Sequence, residues 1–333
     1  MSDATHQKGD EPIRDATISG LIFDAMYAHV AGPIGKVFTE YVDRHRTDKW
    51  LLFSDYVLGD RNRPNEVIAL TVVPGGDYWA SLLRDFRKIA KSDFKNVRTV
   101  SSSMIELLSD PRLFSFCWLL EPRRALTRNV AVVRGMLDRD IARVNGRPDV
   151  ALRTNELGRL KALRRKAESP GFNIRLFDNM LIAAALAAFV TYLICRSRRA
   201  TRVGWFSDRD SITVAHDAFA HHLYAINVAQ FSGKLQPEWR GPDLGVNAPS
   251  QTGEFWSDPF LRVPDHFAGL LSAWDFEQDT IPAKPGKYRQ VLEEGVASHP
   301  NVYVMRLFFR HRNDLVSAEV QSLGIARRSV PSI

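Results

Sequence analysis

Apolar positions along the chain follow two periods. Ile22, Met26, Val30, Ile34, Phe38 and Val42 recur at helical spacing and are interrupted at Gly32-Pro33, which predicts two short helices. Residues 51–57 and 67–73 are instead rich in β-branched and aromatic side chains. The polar run Gly59-Asp60-Arg61-Asn62-Arg63-Pro64-Asn65 between them predicts an antiparallel hairpin. Pro74-Gly75-Gly76-Asp77 ends its second strand, and Asp77 is suited to cap a helix over 78–90. Ser101, Ser102 and Ser103 precede a helical turn over 104–108, and 114–120 reads as a strand stopped by Glu121-Pro122.

Beyond residue 123 the pattern becomes helical. Val130, Val133, Leu137, Ile141 and Val144 form one stripe, and Leu157, Leu160 and Leu163 form a second. Asn145-Gly146-Arg147-Pro148 separates them, which predicts a helical hairpin inserted into the sheet or covering it. Residues 180–195 are continuously apolar but fall short of the ~20 needed for a membrane span, so a buried helix is expected. That helix feeds a short strand in Arg-Val-Gly-Trp-Phe-Ser-Asp-Arg-Asp, residues 202–210. A helix over 216–228 and a long Gly- and Pro-rich loop over 231–254 follow. Next comes a helix with Pro264 in its first turn, in which Gly269 would allow close approach to the sheet. A strand over 302–309 and a final helix over 313–323 complete the pattern.

These elements predict an α/β fold, a mixed β-sheet flanked by helices with an inserted basic helical hairpin. Its divisions are a disordered tail (1–12), a helical segment (13–48), the first part of the sheet domain (49–122), the basic insertion (123–172), the second part of the sheet domain (173–280) and a C-terminal strand and helix (281–333).

Composition adds three constraints. At 333 residues and 45% hydrophobic the chain can bury a sizeable core. Its formal charge of +7 and pI near 9.5 favour polyanions as partners. The outer faces of the hairpin carry Arg134, Arg139, Arg143, Arg153, Arg159, Lys161, Arg164, Arg165 and Lys166, more cations than nearby acids can pair. Residues 123–166 are therefore either a solvated face or a nucleic-acid surface gripping phosphates. Cys117 and Cys195 both lie in apolar runs and make no disulfide framework, which suits a reducing cytoplasm, and no membrane association is expected.

The chemistry points to carboxylates. Asp55 closes the first predicted strand, Asp208 and Asp210 close the strand after the buried helix, and Asp265 sits on a late helix. Three or four acids converging on one point are what hard cations such as Mg2+ or Mn2+ need for two-metal phosphodiester cleavage, with the ions about 4 Å apart. Glu106 is the candidate for a further ligand. The competing reading is that strand-end aspartates only stop strands and cap helices. His216-Asp217, with His221-His222 one turn on, resembles the pair of metal phosphohydrolases, for which His45 and Asp243 are only nominal partners, and solvated helix histidines are the favoured reading. No Gly-rich phosphate loop, His-Glu-x-x-His, Cys-x-x-Cys or Gly-x-Ser-x-Gly motif occurs.

Three segments carry a resemblance: Leu52-Phe53-Ser54-Asp55-Tyr56, Gly204-Trp205-Phe206-Ser207-Asp208 and Val263-Pro264-Asp265-His266-Phe267-Ala268-Gly269. In order and spacing they resemble a bacterial RNase H-like family catalogued as domain of unknown function 3800, over residues 50–275. The resemblance implies an opening strand ending in an aspartate, a hairpin, a helix leading to a strand with a second aspartate, and a closing acidic helix. It also implies a divalent-metal nuclease with Asp55, Asp208, Asp210 and Asp265 as ligands and Glu106 in support. The chain departs from the family in having Tyr56-Val57 where Glu-Ser is usual, and Ile105-Glu106-Leu107 only loosely matches the family's middle motif. A catalytically inactive relative that binds nucleic acid or a protein partner is the alternative.

Overall fold

The computed structural model describes residues 17–76, 79–121, 126–127, 129–146, 150–196, 200–208, 210–237, 239, 241–246, 255–282, 286–297, 299–312 and 315–325. The tail 1–12 and the proposed cap Asp77 lie outside the described residues. Among the described residues the strands are β1 (Lys49–Val57), β2 (Glu66–Pro74), β3 (Phe114–Leu120), β4 (Arg202–Ser207), β5 (Asp243–Val246), β6 (Val302–Arg312) and β7 (Leu315–Ser322). They form one mixed sheet in the order β5-β4-β1-β2-β3-β6-β7. β1, β2 and β3 make an antiparallel meander, β4 lies parallel to β1 and β5 parallel to β4. On the other side β6 is parallel to β3, and β7 returns antiparallel to β6. The C-terminal ends of β1, β3, β4, β5 and β6 consequently share one edge of the sheet.

Strand alternation assigns the two faces. On β1, Trp50 and Leu52 enter one apolar cluster while Phe53 enters the other, flanked by Leu51 and Val57. The first face is covered by α1 (Ile18–Val30), α2 (Pro33–His45), α7 (Ile174–Arg196) and α8 (Ser211–Leu235). α5 (Val130–Asn145) and α6 (Val150–Lys166) form the predicted hairpin and pack on that same layer through Val133, Leu137, Val144, Leu160 and Leu163. The second face is covered by α3 (Trp79–Ile89), α4 (Ser102–Leu108), α9 (Asp258–Ala273) and the short α10 (Lys287–Gln290). β2 is buried along its whole length, as expected of a strand sandwiched between helical layers.

Among the described helices α7 alone is long and apolar enough to cross a membrane, and it is buried inside the protein. Its small residues Ala183, Ala184, Ala187 and Ala188 are fully withdrawn from water, and α8 lies against it. The Thr191 and Tyr224 hydroxyls meet across that contact at 2.9 Å.

Four expectations are corrected. The C-terminal segment is β7 and not a helix, because Val316, Ala318 and Val320 alternate onto the first cluster with a period of two. The stretch 231–254 is not one loop: α8 runs to Leu235 and β5 adds the edge strand. α9 begins at Asp258, so Pro264 sits in its interior and leaves the Phe260 carbonyl without its usual helical donor. Gly269 lets α9 approach the ring of Phe94, on the 3-10 turn Phe94–Asn96, and not the sheet itself.

Candidate active site at the carboxyl edge of the sheet

Asp55 and Asp208 are brought together by strand register. Ser54 on β1 pairs with Ser207 on β4, so each aspartate follows a paired serine at the end of adjacent parallel strands. Phe53 and Phe206, two residues earlier, stack with centroids 5.7 Å apart on the α9 face, which places both acids on that same face. Crevices outside the carboxyl ends of parallel strands are where open α/β sheets bind ligands.

The serines form the floor on the other face. Trp205 Nε1 donates to Ser54 Oγ at 2.8 Å, and Ser54 Oγ lies 2.7 Å from Tyr56 Oη. Burial pushes the Tyr56 phenol above its ordinary value, which keeps it neutral.

Asp210 caps α8, accepting from the amides of Ile212 at 2.8 Å and Thr213 at 3.2 Å. Asp265 is presented by the middle of α9 and accepts from the Phe94 amide at 2.5 Å. Lys287, itself buried, donates to the Phe94 carbonyl at 2.5 Å, clamping the 3-10 turn beneath α9. On α9 the residues Asp258, Arg262, Asp265, Gly269 and Ser272 fall on one helical face. That face and the sheet edge enclose a cleft of about 480 Å³ lined by Asp55, Tyr56, Asp208, Asp210, Asp258, Asp265, Arg63 and Lys95, among others.

The electrostatics of this cleft are those of crowded acids. Burial, then the charge of Asp265 and more weakly those of Asp208 and Asp210, holds the Asp55 carboxyl well above the usual carboxylate range. Burial also raises Asp265, opposed by the Phe94 amide, by Arg262 and by a hydrogen bond with Asp55. Asp210 is raised by burial against the pull of its two capped amides. Asp55 and Asp265 therefore resist ionising together, as two carboxyls in one poorly solvated place do.

Glu106 is not part of this group. It is exposed on α4, where Ser101 caps the helix by accepting from the Met104 amide at 3.2 Å, and it does not line the cleft. Asp258, at the first position of α9, lines it. Arg63, Lys95 and Tyr288 add a basic and hydroxylic rim, with Arg63 Nη1 3.4 Å from the Tyr288 hydroxyl and 3.7 Å separating Arg63 Nε from Asp60. Asp258 was legible as a helix-initiating Asp-Pro pair, whereas the rim comes from three distant segments.

The alternative histidine constellation is dispersed. His216, Asp217 and Ala218 form a left-handed kink within α8, with φ of 51°, 60° and 59°, and the His216 ring stacks on Phe172. His221 is buried edge-on to Trp205, His45 packs against Tyr41 and Trp50, and Asp243 faces Arg202 on the edge strand.

The acids suit a divalent ion in kind, being hard oxygen donors whose mutual repulsion a cation relieves. Among the described residues no three His, Cys, Asp or Glu side chains are already drawn together tightly enough to hold one. Coordination would require the Asp55 and Asp265 carboxyls to ionise and the acids to draw closer together. Comparison of the chain with family models, curated proteins and solved structures finds no match.

Proposed function

We propose that the cleft is the active site of a divalent-metal-dependent phosphodiester hydrolase, a nuclease with an RNase H-like sheet, working in a reducing cytoplasm. The observation that carries this reading is the gathering of Asp55, Asp208, Asp210 and Asp265 in one cleft, where burial and then the neighbouring acids disfavour ionisation of Asp55. A β1 ending in an acid, an antiparallel hairpin, a buried helix leading to β4 with a second acid and a late acidic helix follow the order that the family resemblance implies. Mg2+ or Mn2+ bound there would activate water and neutralise charge on the scissile phosphate.

The protein's own groups divide the remaining work. Asp55, Asp208, Asp210 and Asp265 supply anionic oxygens. Arg63 and Lys95 at the rim supply cations for the substrate's phosphates. The basic hairpin springs from the C-terminal end of β3, and α6 meets the start of α8, where Lys166 reaches Asp217 at 3.7 Å. Arg159 also reaches the Asp217 carbonyl there, and the exposed Arg139, Arg159, Lys161 and Arg165 of the hairpin are suited to sequence-independent contact with a nucleic-acid backbone.

The second reading is an inactive module of the same fold that binds nucleic acid or a protein. The exclusion of Glu106 and the lack of a preassembled ligand set among the described residues favour it. Calorimetric titration of Mg2+ or Mn2+ into the native protein and Asp208→Asn, followed by cleavage assays on mixed DNA and RNA, decides between them. Metal binding and cleavage, both lost in the variant, support the nuclease. Absence of metal binding in both proteins supports the inactive module.

A further inference from the structure

α8 is interrupted soon after it starts, and nothing in the acid cleft explains why. Ala215 is extended, with φ −62° and ψ 148°, and His216, Asp217 and Ala218 follow in the left-handed region before the helix resumes. Among the described residues five non-glycine positions have positive φ, and these three are the only consecutive ones. A left-handed turn crowds each Cβ against the following carbonyl, a steric cost that a regular helix would remove. Ala215 and Ala218 are strong helix formers, and no glycine eases the turn. It persists because its surroundings hold it.

Two anchors fix its ends. Upstream, Asp210 caps the first turn of α8, and the buried Thr213 hydroxyl donates to the Asp208 carbonyl at 2.7 Å. That one turn therefore carries two of the acids that line the cleft. Downstream, Phe219, Ala220 and Leu223 are buried in the layer that α7 also fills. The third hold comes from the hairpin and the segment after it. Arg159 Nη1 donates to the Asp217 carbonyl at 3.5 Å, Lys166 Nζ lies 3.7 Å from Asp217 Oδ2, and the Phe172 ring stacks on His216 at 5.8 Å. Arg159, Lys166 and Asp217 are all exposed, so a polyanion arriving at the hairpin competes directly for the two cations.

Building on the reading of the cleft as a phosphodiester site, we propose that this left-handed turn couples the basic hairpin to the acid cleft. Phosphates that engage Arg159 and Lys166 draw both from Asp217 and repel its carboxylate. The turn then relaxes toward regular helix, and the first turn of α8 shifts with Asp208 and Asp210. The approach of the acids that coordination requires is thereby tied to the arrival of a nucleic-acid backbone.

The test is made at Asp217, whose side chain lies outside the cleft. Asp217→Gly and Asp217→Ala remove the same charge, but glycine favours the left-handed turn and alanine the regular helix. Hydrogen exchange of the full chain is followed at amides 214–220 in EDTA, with and without a short DNA duplex. In the native protein the duplex is expected to raise protection there on the order of fivefold. Asp217→Ala should be as protected without DNA, and Asp217→Gly should stay unprotected with it. An equal gain in native protein and glycine variant, which direct shielding by bound DNA would give, overturns the proposal, as does no gain in the native protein. Calorimetry with Mn2+ alone then compares the two variants at equal charge, and alanine is expected to bind it roughly fivefold more tightly than glycine. Equal Mn2+ affinity overturns the coupling and leaves the metal site standing. No Mn2+ binding in any of the three proteins overturns the phosphodiester reading itself, and the coupling to a metal cleft with it, whatever the exchange shows.

Discussion

Asp55 bears the largest electrostatic cost in the cleft, and that cost has a measurable consequence. Its folded-state pKa lies above its unfolded value, so the folded protein retains a proton that the unfolded chain releases as pH rises. Its contribution is fully present below the unfolded pKa and is lost as pH climbs through the folded one. Asp55→Asn removes the titration while keeping the shape of the side chain. Urea unfolding is expected to find the variant more stable than the native protein near neutrality, by about 0.5–2 kcal/mol, with the difference vanishing in acid. Saturating Mn2+ should shrink the gap from the other side by stabilising only the native protein. A variant less stable at neutral pH would mean that the carboxyl is a structural hydrogen-bonding partner and not a strained site residue.

Among the elements, α9 does most to assemble the site, through the spacing of Asp258, Arg262, Asp265 and Gly269 along one face. Gly269 is required by close approach: an added Cβ would collide with the Phe94 ring. Phe94 in turn holds Asp265 through its amide and is held by Lys287 through its carbonyl. Gly269→Ala should therefore cost about 1–3 kcal/mol by overpacking. It should also weaken Mn2+ binding in calorimetry, although it removes no ligand, because the turn that orients Asp265 is pushed away. Weaker folding with unchanged metal affinity would uncouple the turn from the site.

At the scale of the whole molecule, the net charge of +7 is unevenly used. Part of the hairpin's charge is neutralised internally, since Arg164 pairs with Asp138 at 2.8 Å and Arg143 with Asp140 at 3.0 Å. Such exposed pairs contribute little to stability. Arg159, Lys161 and Arg165 remain exposed on α6. Replacing all three by alanine should leave thermal stability nearly unchanged and lower affinity for single and double strands alike. The slope of log K against log salt should flatten by about 0.7–0.9 for each phosphate that is no longer neutralised. An unchanged slope would make the hairpin a solvated face.

Much of this protein was legible without coordinates. The periodicities of the meander, the hairpin and α7 are local properties of side-chain pattern, and strands ending in aspartate name Asp55 and Asp208 directly. β7 was misread because its short alternating run borders residues of mixed preference, and its pairing with β6 is a long-range choice. What the sequence determined was the inventory of acids and the faces on which they stand. Only the tertiary structure decided which acids meet: the Ser54–Ser207 register joined Asp55 to Asp208, the early start of α9 brought in Asp258 and aimed Asp265, and the packing of α4 removed Glu106. Strand register and helix packing are set by burial of apolar surface between segments far apart in the chain, and no single segment carries that information.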